Sequence, residues 1–104
     1  MIAAIKKLLG IGPATDFAAV IANGGVIVDV RTQGEYAGGH VKGSLNIPLD
    51  QLKSQMKLLK KDKPVITCCA SGMRSSSAKS LLQANGFTEV HNGGSWYSLK
   101  KYER

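Results

Sequence analysis

A strand, a tight loop and a helix follow one another between residues 64 and 86, and this segment constrains the fold more than any other. After Pro64, the β-branched run Val65-Ile66-Thr67 predicts a short buried strand. Apolar residues spaced three and four apart then predict a helix that begins near Ser75 and ends at Asn85-Gly86. The loop between them therefore places a cysteine at the end of a strand and directly before the start of a helix.

The loop of residues 69–74 is suited to hold an anion beside the thiol of Cys69. Small residues let successive backbone N–H groups point inward, and a helix N-terminus adds further free N–H groups and a positive dipole. In this field we expect Cys69 to ionise more readily than a free thiol. Arg74 stays protonated and can donate two hydrogen bonds to an oxyanion. The candidate catalytic residue is Cys69, and the candidate substrate-binding residues are Ala70, Ser71, Gly72, Met73, Arg74 and Ser75.

Two other interpretations of the adjacent cysteines remain open. Both could be small buried residues at a strand end, since free cysteine is often buried. Counted from Cys68 instead of Cys69, the arginine completes the Cys-x5-Arg spacing of cysteine phosphatases and arsenate reductases. That spacing fits poorly, because Thr67 and Ser71 occupy the positions where such loops usually have a histidine and a glycine.

The rest of the chain alternates between helical and extended patterns. The predicted elements before the cysteine segment begin with a helix at residues 16–22 capped by Thr15, a strand at 26–30, a one-turn helix opened by the capping box Thr32-x-x-Glu35, and an extended piece at 44–47. A helix then starts at Pro48, with Leu49, Leu52, Met56 and Leu59 buried. After the cysteine segment we predict a strand at 88–91, a turn at Gly93-Gly94, and a helix from Ser95 to about Tyr102. Alternating strands and helices predict a parallel α/β sheet. Its strand ends would gather residues 29–32, 69–74 and 92–96 around one cleft.

The loop and a second motif upstream of it resemble those of the rhodaneses (thiosulfate sulfurtransferases). Cys69, Gly72, Arg74 and Ser75 match the family's loop pattern Cys-x-x-Gly-x-Arg-Ser. Residues 29–31, 35–36 and 39–48 resemble the upstream signature, which reads Asp-Val-Arg, then Glu-Phe/Tyr, then Gly-His-Ile-x-Gly-Ala-x-Asn-Ile-Pro. With the paired glycines, the resemblance covers roughly residues 15–102.

The resemblance implies a fold, a reaction and its substrates. The fold is rhodanese-like α/β, with a central, mostly parallel five-stranded sheet, helices on both faces and one domain over residues 15–104. The reaction is that of a thiosulfate sulfurtransferase, in which a persulfide on Cys69 passes sulfur from thiosulfate, or a similar donor, to cyanide or a thiol without a cofactor. A protein-to-protein sulfur carrier and a non-enzymatic docking module remain alternatives, so a protein acceptor stays open.

Several polar and aromatic residues near the predicted cleft receive more modest expectations. We expect Arg31 and Glu35 to form a structural ion pair, and Asp29 to accept hydrogen bonds from backbone or arginine. The expected roles of His40, His91 and Asn92 are structural. Arg31 and Trp96 are candidates for lining the cleft, since Ser98 occupies the place where rhodaneses often carry a tryptophan.

Composition limits the partners and the compartment. The chain has 104 residues, enough for one domain, and a net charge of +7 that favours anionic ligands and acidic partners. Its clustered lysines accompany no nucleic-acid motif or interleaved aromatics, so nucleic acid is not an expected partner. Adjacent cysteines make no disulfide framework, and reduced thiols suit the cytoplasm. Two cysteines and two histidines lack the spacing of a zinc site.

Residues 1–14 are predicted to be an N-terminal amphipathic extension. Ile2, Ile5, Leu8 and Leu9 fall on one side of a helical projection, with Lys6-Lys7 on the other. The apolar run is too short and too interrupted to span a membrane, so we expect this segment to dock against the domain.

Overall fold

The structure is a computed structural model that describes residues 15–104, so the predicted extension at residues 1–14 lies outside the described residues. The helices are α1 (Phe17–Ala22), α2 (Gln33–Ala37), α3 (Leu49–Gln55) and α4 (Met73–Ala84), with 3-10 helices at Met56–Leu58 and Trp96–Tyr102. The strands are β1 (Val26–Asp29), β2 (Leu45–Asn46), β3 (Val65–Cys69) and β4 (Val90–Ser95). No helix within this part of the chain is long and apolar enough to cross a membrane.

The strands form one parallel sheet in the order β2-β1-β3-β4. This confirms the predicted parallel α/β architecture, but the expected count of five strands is wrong for residues 15–104, which contain four. The connection after β1 leads to β2 at one edge of the sheet, and the connection after β3 leads to β4 at the other edge. The crevice between the ends of β1 and β3 is thus a topological switch point, where sheets of this kind bind ligands.

Both faces of the sheet are covered, and successive strand residues alternate between them. Val28 and Val65 pack with Leu52 and Leu82 from α3 and α4 in one hydrophobic layer. The opposite layer is built on Ile27, Val41, Ile66, Cys68 and Leu99, with α1 and the C-terminal 3-10 helix packed against it. Because side chains in a strand point alternately to opposite faces, neighbouring residues of β1 and β3 enter different layers.

Several element boundaries differ from the sequence prediction. The cap of α1 is Asp16, whose carboxylate accepts the N–H of Ala19, and not Thr15. Pro48 precedes α3 instead of opening it, and α4 begins at Met73 rather than near Ser75. The predicted capping box is confirmed, since Thr32 and Glu35 exchange hydrogen bonds at the start of α2.

The largest local difference concerns the segment after α4. The sequence predicts a strand at residues 88–91 followed by a glycine turn, whereas β4 runs from Val90 to Ser95 and includes both glycines. The register between β4 and β3 shifts opposite residues 67–69, as at a β-bulge, and pairing then resumes. The strand thus continues past the glycines to the cysteine loop. The chain after it forms a 3-10 helix capped by Ser95.

Candidate active site

The side chain of Cys69, the last residue of β3, points into the loop that follows it. Its Sγ atom accepts the backbone N–H of Gly72 at 2.9 Å and that of Ser75 at 3.4 Å. The N–H of Ser71 contributes a further hydrogen bond. The sulfur therefore lies in a partial ring of main-chain donors at the N-terminal end of α4, as the loop composition predicts.

Gly72 gives the loop the backbone conformation that this ring requires. Its φ angle of 102° lies in the left-handed region, which side chains oppose. A Cβ at this position would also lie 3.4 Å from the Cα of Gly94, so the loop runs close against β4. The left-handed φ is the constraint that favours glycine at this position.

The electrostatic surroundings of Cys69 favour its ionised form. Burial by itself raises the pKa of this thiol. Hydrogen bonds from Ser75, Gly72 and Ser71 outweigh burial and hold the pKa below the ordinary value of 9.0. Cys69 thus has the lowered pKa that is typical of reactive cysteines beside a helix N-terminus.

The sulfur lies below the loop and not at its surface. Cys69 has 0% exposed surface, whereas Ala70 and Ser71, which follow it in the loop, are exposed. Met73, the next loop residue with a side chain, is 78% exposed. A reagent that reacts with Sγ must therefore displace part of this thin loop or approach as the loop opens.

Ser75 and Asn92 form a second contact network beside the sulfur. Ser75 is fully buried, and its Oγ lies 3.6 Å from the Sγ of Cys69 and 2.6 Å from Oδ1 of Asn92. The Asn92 side chain also accepts the N–H of Gly94 and donates to the carbonyl of Gly72. β4 is thereby joined to the loop through one side chain.

The guanidinium of Arg74 is paired with a carboxylate in the same structure. Its Nη1 and Nη2 donate to the two oxygens of Glu35 at 2.7 and 3.0 Å, across the switch-point crevice. These bonds, together with hydrogen bonds from Thr32, lower the pKa of Glu35 to about 2, and the bonds to Glu35 raise the pKa of Arg74. The two-pronged geometry expected for an oxyanion ligand is thus occupied by a protein carboxylate.

Arg31 does not pair with the side chain of Glu35, contrary to the sequence expectation. It is 4% exposed, and its guanidinium binds the carboxylate of Asp29, with Nη2 to Oδ2 at 2.8 Å. Further donation to the carbonyls of Glu35 and Gly39 leaves all three nitrogens engaged. The expectation for Asp29 is confirmed, and this burial supports a structural role for Arg31 in place of cleft lining.

Trp96 covers the buried arginine. The guanidinium carbon of Arg31 lies 4.6 Å from the ring centroid, within range of a cation–π interaction. Beneath the ring, a Cβ on Gly39 would approach Cη2 to 3.1 Å. Trp96 is half-buried: it packs against the hydrophobic layer that contains Leu99, and the rest of its surface is exposed to solvent.

Cys68 has surroundings opposite to those of its neighbour. It is fully buried in the layer formed by Ile66, Leu99 and other apolar residues. Burial, with a smaller contribution from the carboxylate of Asp29, raises the pKa of Cys68 to about 12. This cysteine is held as a neutral thiol.

The histidines make structural contacts outside the loop. Nδ1 of His40 lies 2.8 Å from the carbonyl of Tyr36, with the two rings stacked, and Nε2 of His91 lies 2.7 Å from Glu89. Within residues 15–104, no group of three or more His, Cys, Asp and Glu side chains is arranged to bind a metal ion.

Comparison with known families accounts for the agreement of fold and loop. The model of the family described as "Rhodanese-like domain" matches residues 13–100 of this chain. The chain belongs to this family. As a rhodanese-like domain, it is similar in structure to a rhodanese from E. coli described with anions, with a TM-score of 0.67, 33% identity, and coverage of 71% of this chain and 89% of the other.

Two bacterial relatives extend the comparison of this rhodanese-like domain. It is 38% identical over 69 residues to thiosulfate sulfurtransferase PspE of Escherichia coli (strain K12), a match that covers 64% of this chain and 66% of that protein. It is 44% identical over 66 residues to the uncharacterized protein YqhL of Bacillus subtilis (strain 168), covering 64% of this chain and 52% of that protein. The chain thus spans between about half and two thirds of the length of these relatives.

Asn92 was expected near the cleft in a structural role, and sequence reasoning missed its contacts with Ser75 and the cysteine loop. It follows His91 and precedes two glycines, so it looks like an ordinary strand end. The parallel topology places it beside the cysteine loop, because β4 neighbours β3, but the hydrogen bonds of its side chain are not encoded in that pattern. The rhodanese-like domain of this chain therefore uses a residue from β4 at its loop.

Proposed function

We propose that this protein is a sulfurtransferase that moves a sulfane sulfur from thiosulfate, or a similar donor, to a thiophilic acceptor through a persulfide on Cys69. The observation that carries the proposal is the geometry of one sulfur atom. The Sγ of Cys69 faces the N–H groups of Gly72 and Ser75, and its pKa is lowered. A relative named thiosulfate sulfurtransferase at 38% identity supports the same reaction class.

In the first step the thiolate of Cys69 attacks the outer sulfur of thiosulfate. A new S–S bond forms on Sγ, the S–S bond of thiosulfate breaks, and sulfite leaves with the electron pair. Because sulfite is a stable anion, the step needs no general acid. The lowered pKa of Cys69 makes the thiolate easier to form than that of an ordinary thiol, and the net charge of +7 attracts the anionic donor.

In the second step the acceptor removes the added sulfur. Cyanide or a thiolate attacks the terminal sulfur of the persulfide, and the bonding pair returns to Sγ as thiolate. Between the two steps the terminal sulfur is anionic, and main-chain donors such as the N–H of Gly72 are suited to stabilise it. Since the donor product leaves before the acceptor reacts, the kinetics should be ping-pong.

The sulfur also needs a route to solvent, because Cys69 is covered by its own loop. The loop residues Ala70, Ser71 and Met73 are exposed, so a displacement of the loop toward solvent would open the route. The reaction we propose therefore includes a movement of this loop before attack.

The three alternative functions are not equally compatible with the properties of the two cysteines. A carrier that exchanges sulfur with protein donors and acceptors would use the same persulfide, with poor thiosulfate turnover. A docking module would leave Cys69 unused, and its lowered pKa argues against that role. A phosphatase or arsenate reductase based on Cys68 is disfavoured, because this thiol is fully buried and its pKa is raised to about 12. Free cysteines suit a cytoplasmic location, which we include in the proposal.

The proposal is tested by thiosulfate:cyanide turnover of two matched variants. Cys69→Ser should lose activity by several orders of magnitude, because serine is not ionised near neutral pH. Cys68→Ser should keep most of it, and its unfolding midpoint shows whether any loss is one of stability. Loss of activity confined to Cys68→Ser would identify Cys68 as the nucleophile and overturn the assignment.

A further inference from the structure

The amide of Asn92 has an orientation that its backbone partners determine. The N–H of Gly94 lies 2.9 Å from Oδ1, and the carbonyl of Gly72 lies 3.2 Å from Nδ2. A backbone N–H can only donate and a backbone carbonyl can only accept, so the oxygen must face Gly94 and the nitrogen must face Gly72. The reverse orientation would break both hydrogen bonds.

This orientation decides what the hydroxyl of Ser75 does. Its Oγ lies 2.6 Å from Oδ1 of Asn92, which has no proton to give, so Ser75 is the donor. A hydroxyl has one proton, and the Ser75 proton is therefore directed away from Cys69. The remaining lone pairs of Oγ, 3.6 Å from Sγ, can accept the thiol proton.

We propose that Asn92 is a positioning residue for Cys69 that competes with the sulfur for the hydroxyl proton of Ser75. While the sulfur is a thiol, its proton is shared with Oγ and the Ser75 proton with Asn92. When the thiol proton leaves to solvent, the Ser75 proton turns from Asn92 to the sulfur. Asn92 thus stabilises the resting thiol and delays the charged form until a proton acceptor or substrate is present.

A third acceptor limits the size of this effect but does not change its sign. The carbonyl of Gly72 lies 3.0 Å from Oγ of Ser75 and would receive the proton if Asn92 were absent. That contact is longer than the 2.6 Å bond to Asn92 and is easier to exchange for a charged sulfur. Removal of the Asn92 amide should therefore release the Ser75 proton to the thiolate.

The ionisable groups on the surrounding elements are engaged elsewhere. They are Arg74 of α4 with Glu35 of α2, Asp29 of β1 with Arg31, Cys68 on the opposite face of β3, and His91 of β4 with Glu89. None of them contacts the Ser75 hydroxyl, whose partners among the described residues are Asn92, Gly72 and Cys69.

The test is a double-mutant cycle with the pH dependence of iodoacetamide alkylation at Cys69 as its readout. Asn92→Ala is compared in the Ser75 background and in the Ser75→Ala background. Loosening of the loop that does not involve Ser75 cancels between the two backgrounds, so the difference reports the coupling between Asn92 and Ser75. We expect Asn92→Ala to lower the alkylation pKa by about half a unit to one unit more when Ser75 is present, the worth of one hydrogen bond.

Asn92→Asp provides a second variant of nearly equal shape, with the opposite expected sign. A carboxylate holds the Ser75 proton more strongly, so the pKa should rise more with Ser75 than without it. Asn85→Ala is the matched control, because Asn85 also donates to a backbone carbonyl, that of Leu81, but on the far end of α4. It should leave the profile unchanged.

Equal shifts in the two Ser75 backgrounds, or shifts of reversed sign, would overturn the positioning role. The inference rests on the proposed function only in taking Cys69 as the reacting group. Alkylation needs no sulfur donor, so the coupling between Asn92 and Ser75 can be measured even if the protein transfers no sulfur. Failure of this inference and failure of the proposed function are therefore distinguishable.

Discussion

Cys68 and Cys69 are consecutive residues of β3 whose side chains enter different hydrophobic layers on opposite faces of the sheet. The sulfur of Cys69 meets the N–H groups of the loop, whereas Cys68 is surrounded by apolar side chains with its pKa raised to about 12. One strand thus holds a reactive and an inert thiol side by side, because its side chains alternate in direction.

The two thiols should differ sharply in alkylation. Cys69 has a pKa below 9.0 and should react with iodoacetamide as the pH rises toward that value, while Cys68 stays unmodified in the folded protein. Peptide mapping after brief labelling gives the site, and labelling in denaturant provides the control in which both react. Modification of Cys68 before Cys69 in the folded protein would contradict the assignment.

The ion pair between Glu35 and Arg74 should make stability depend on acid. The pKa of Glu35 is lowered from 4.5 to about 2, so its contribution is fully present above 4.5 and is lost as the pH falls toward 2. We expect the stability gap between the protein and Glu35→Gln to shrink over that interval. The gap should be small and salt-sensitive, because both side chains are 37% exposed. Urea unfolding across this range measures it, and a gap that widens toward acid would be inconsistent with the pairing.

The same pair should also affect thiosulfate binding. Both Nη atoms of Arg74 donate to Glu35, so an anion can use this guanidinium only by sharing or displacing the carboxylate. Glu35→Gln should therefore lower the KM for thiosulfate, since a neutral amide competes less. Steady-state kinetics gives the value, and Arg74→Lys, which loses the fork, is the matched control with a raised KM. An unchanged KM in both variants would limit Arg74 to a structural role.

Two glycines should respond differently to alanine. At Gly93 a Cβ would lie 2.8 Å from Cδ1 of Leu99 and 3.0 Å from the carbonyl of Thr67, so overpacking should cost about 1–3 kcal/mol of unfolding free energy. Gly72→Ala should cost about 1–2 kcal/mol through its left-handed φ. Only Gly72→Ala displaces a donor to Sγ, so it should lose more turnover per folded molecule. Denaturant curves and turnover on the same samples separate the two effects.

Removal of the guanidinium of Arg31 should destabilise the fold strongly. Asp29 is 0% exposed, and Arg31→Ala would leave its carboxylate buried without its partner, at a cost of about 3–5 kcal/mol. Adding Asp29→Asn should recover part of that loss by removing the buried charge. Equilibrium unfolding of the single and double variants measures both changes. A loss below 1 kcal/mol for Arg31→Ala would mean that solvent reaches the pair.

The sequence was sufficient for those features that depend on local patterns. The strand and loop around Cys69, the capping box of Thr32 and Glu35, and the parallel sheet follow from short-range periodicity and turn chemistry. The strand, the loop and the capping box each lie within a few consecutive residues, and the parallel sheet follows from the alternation of strands and helices along the chain, so no tertiary partner was needed to predict them.

The features that depend on tertiary neighbours could not be read in this way. The strand at Gly93 forms because β3 offers a pairing edge, although paired glycines alone indicate a turn. Glu35 pairs with Arg74 and not with Arg31 as expected, because the distance between side chains across the crevice is not encoded in sequence spacing. The burial of Cys69 and the role of Asn92 likewise arise only when β4 lies beside the loop.

The most direct test of the central claim is the intact mass of the protein after incubation with thiosulfate and removal of excess reagent. We predict a gain of one sulfur atom that maps to Cys69, disappears on addition of cyanide, and is absent from Cys69→Ser. The absence of any gain, or a gain that maps to Cys68, would contradict the account.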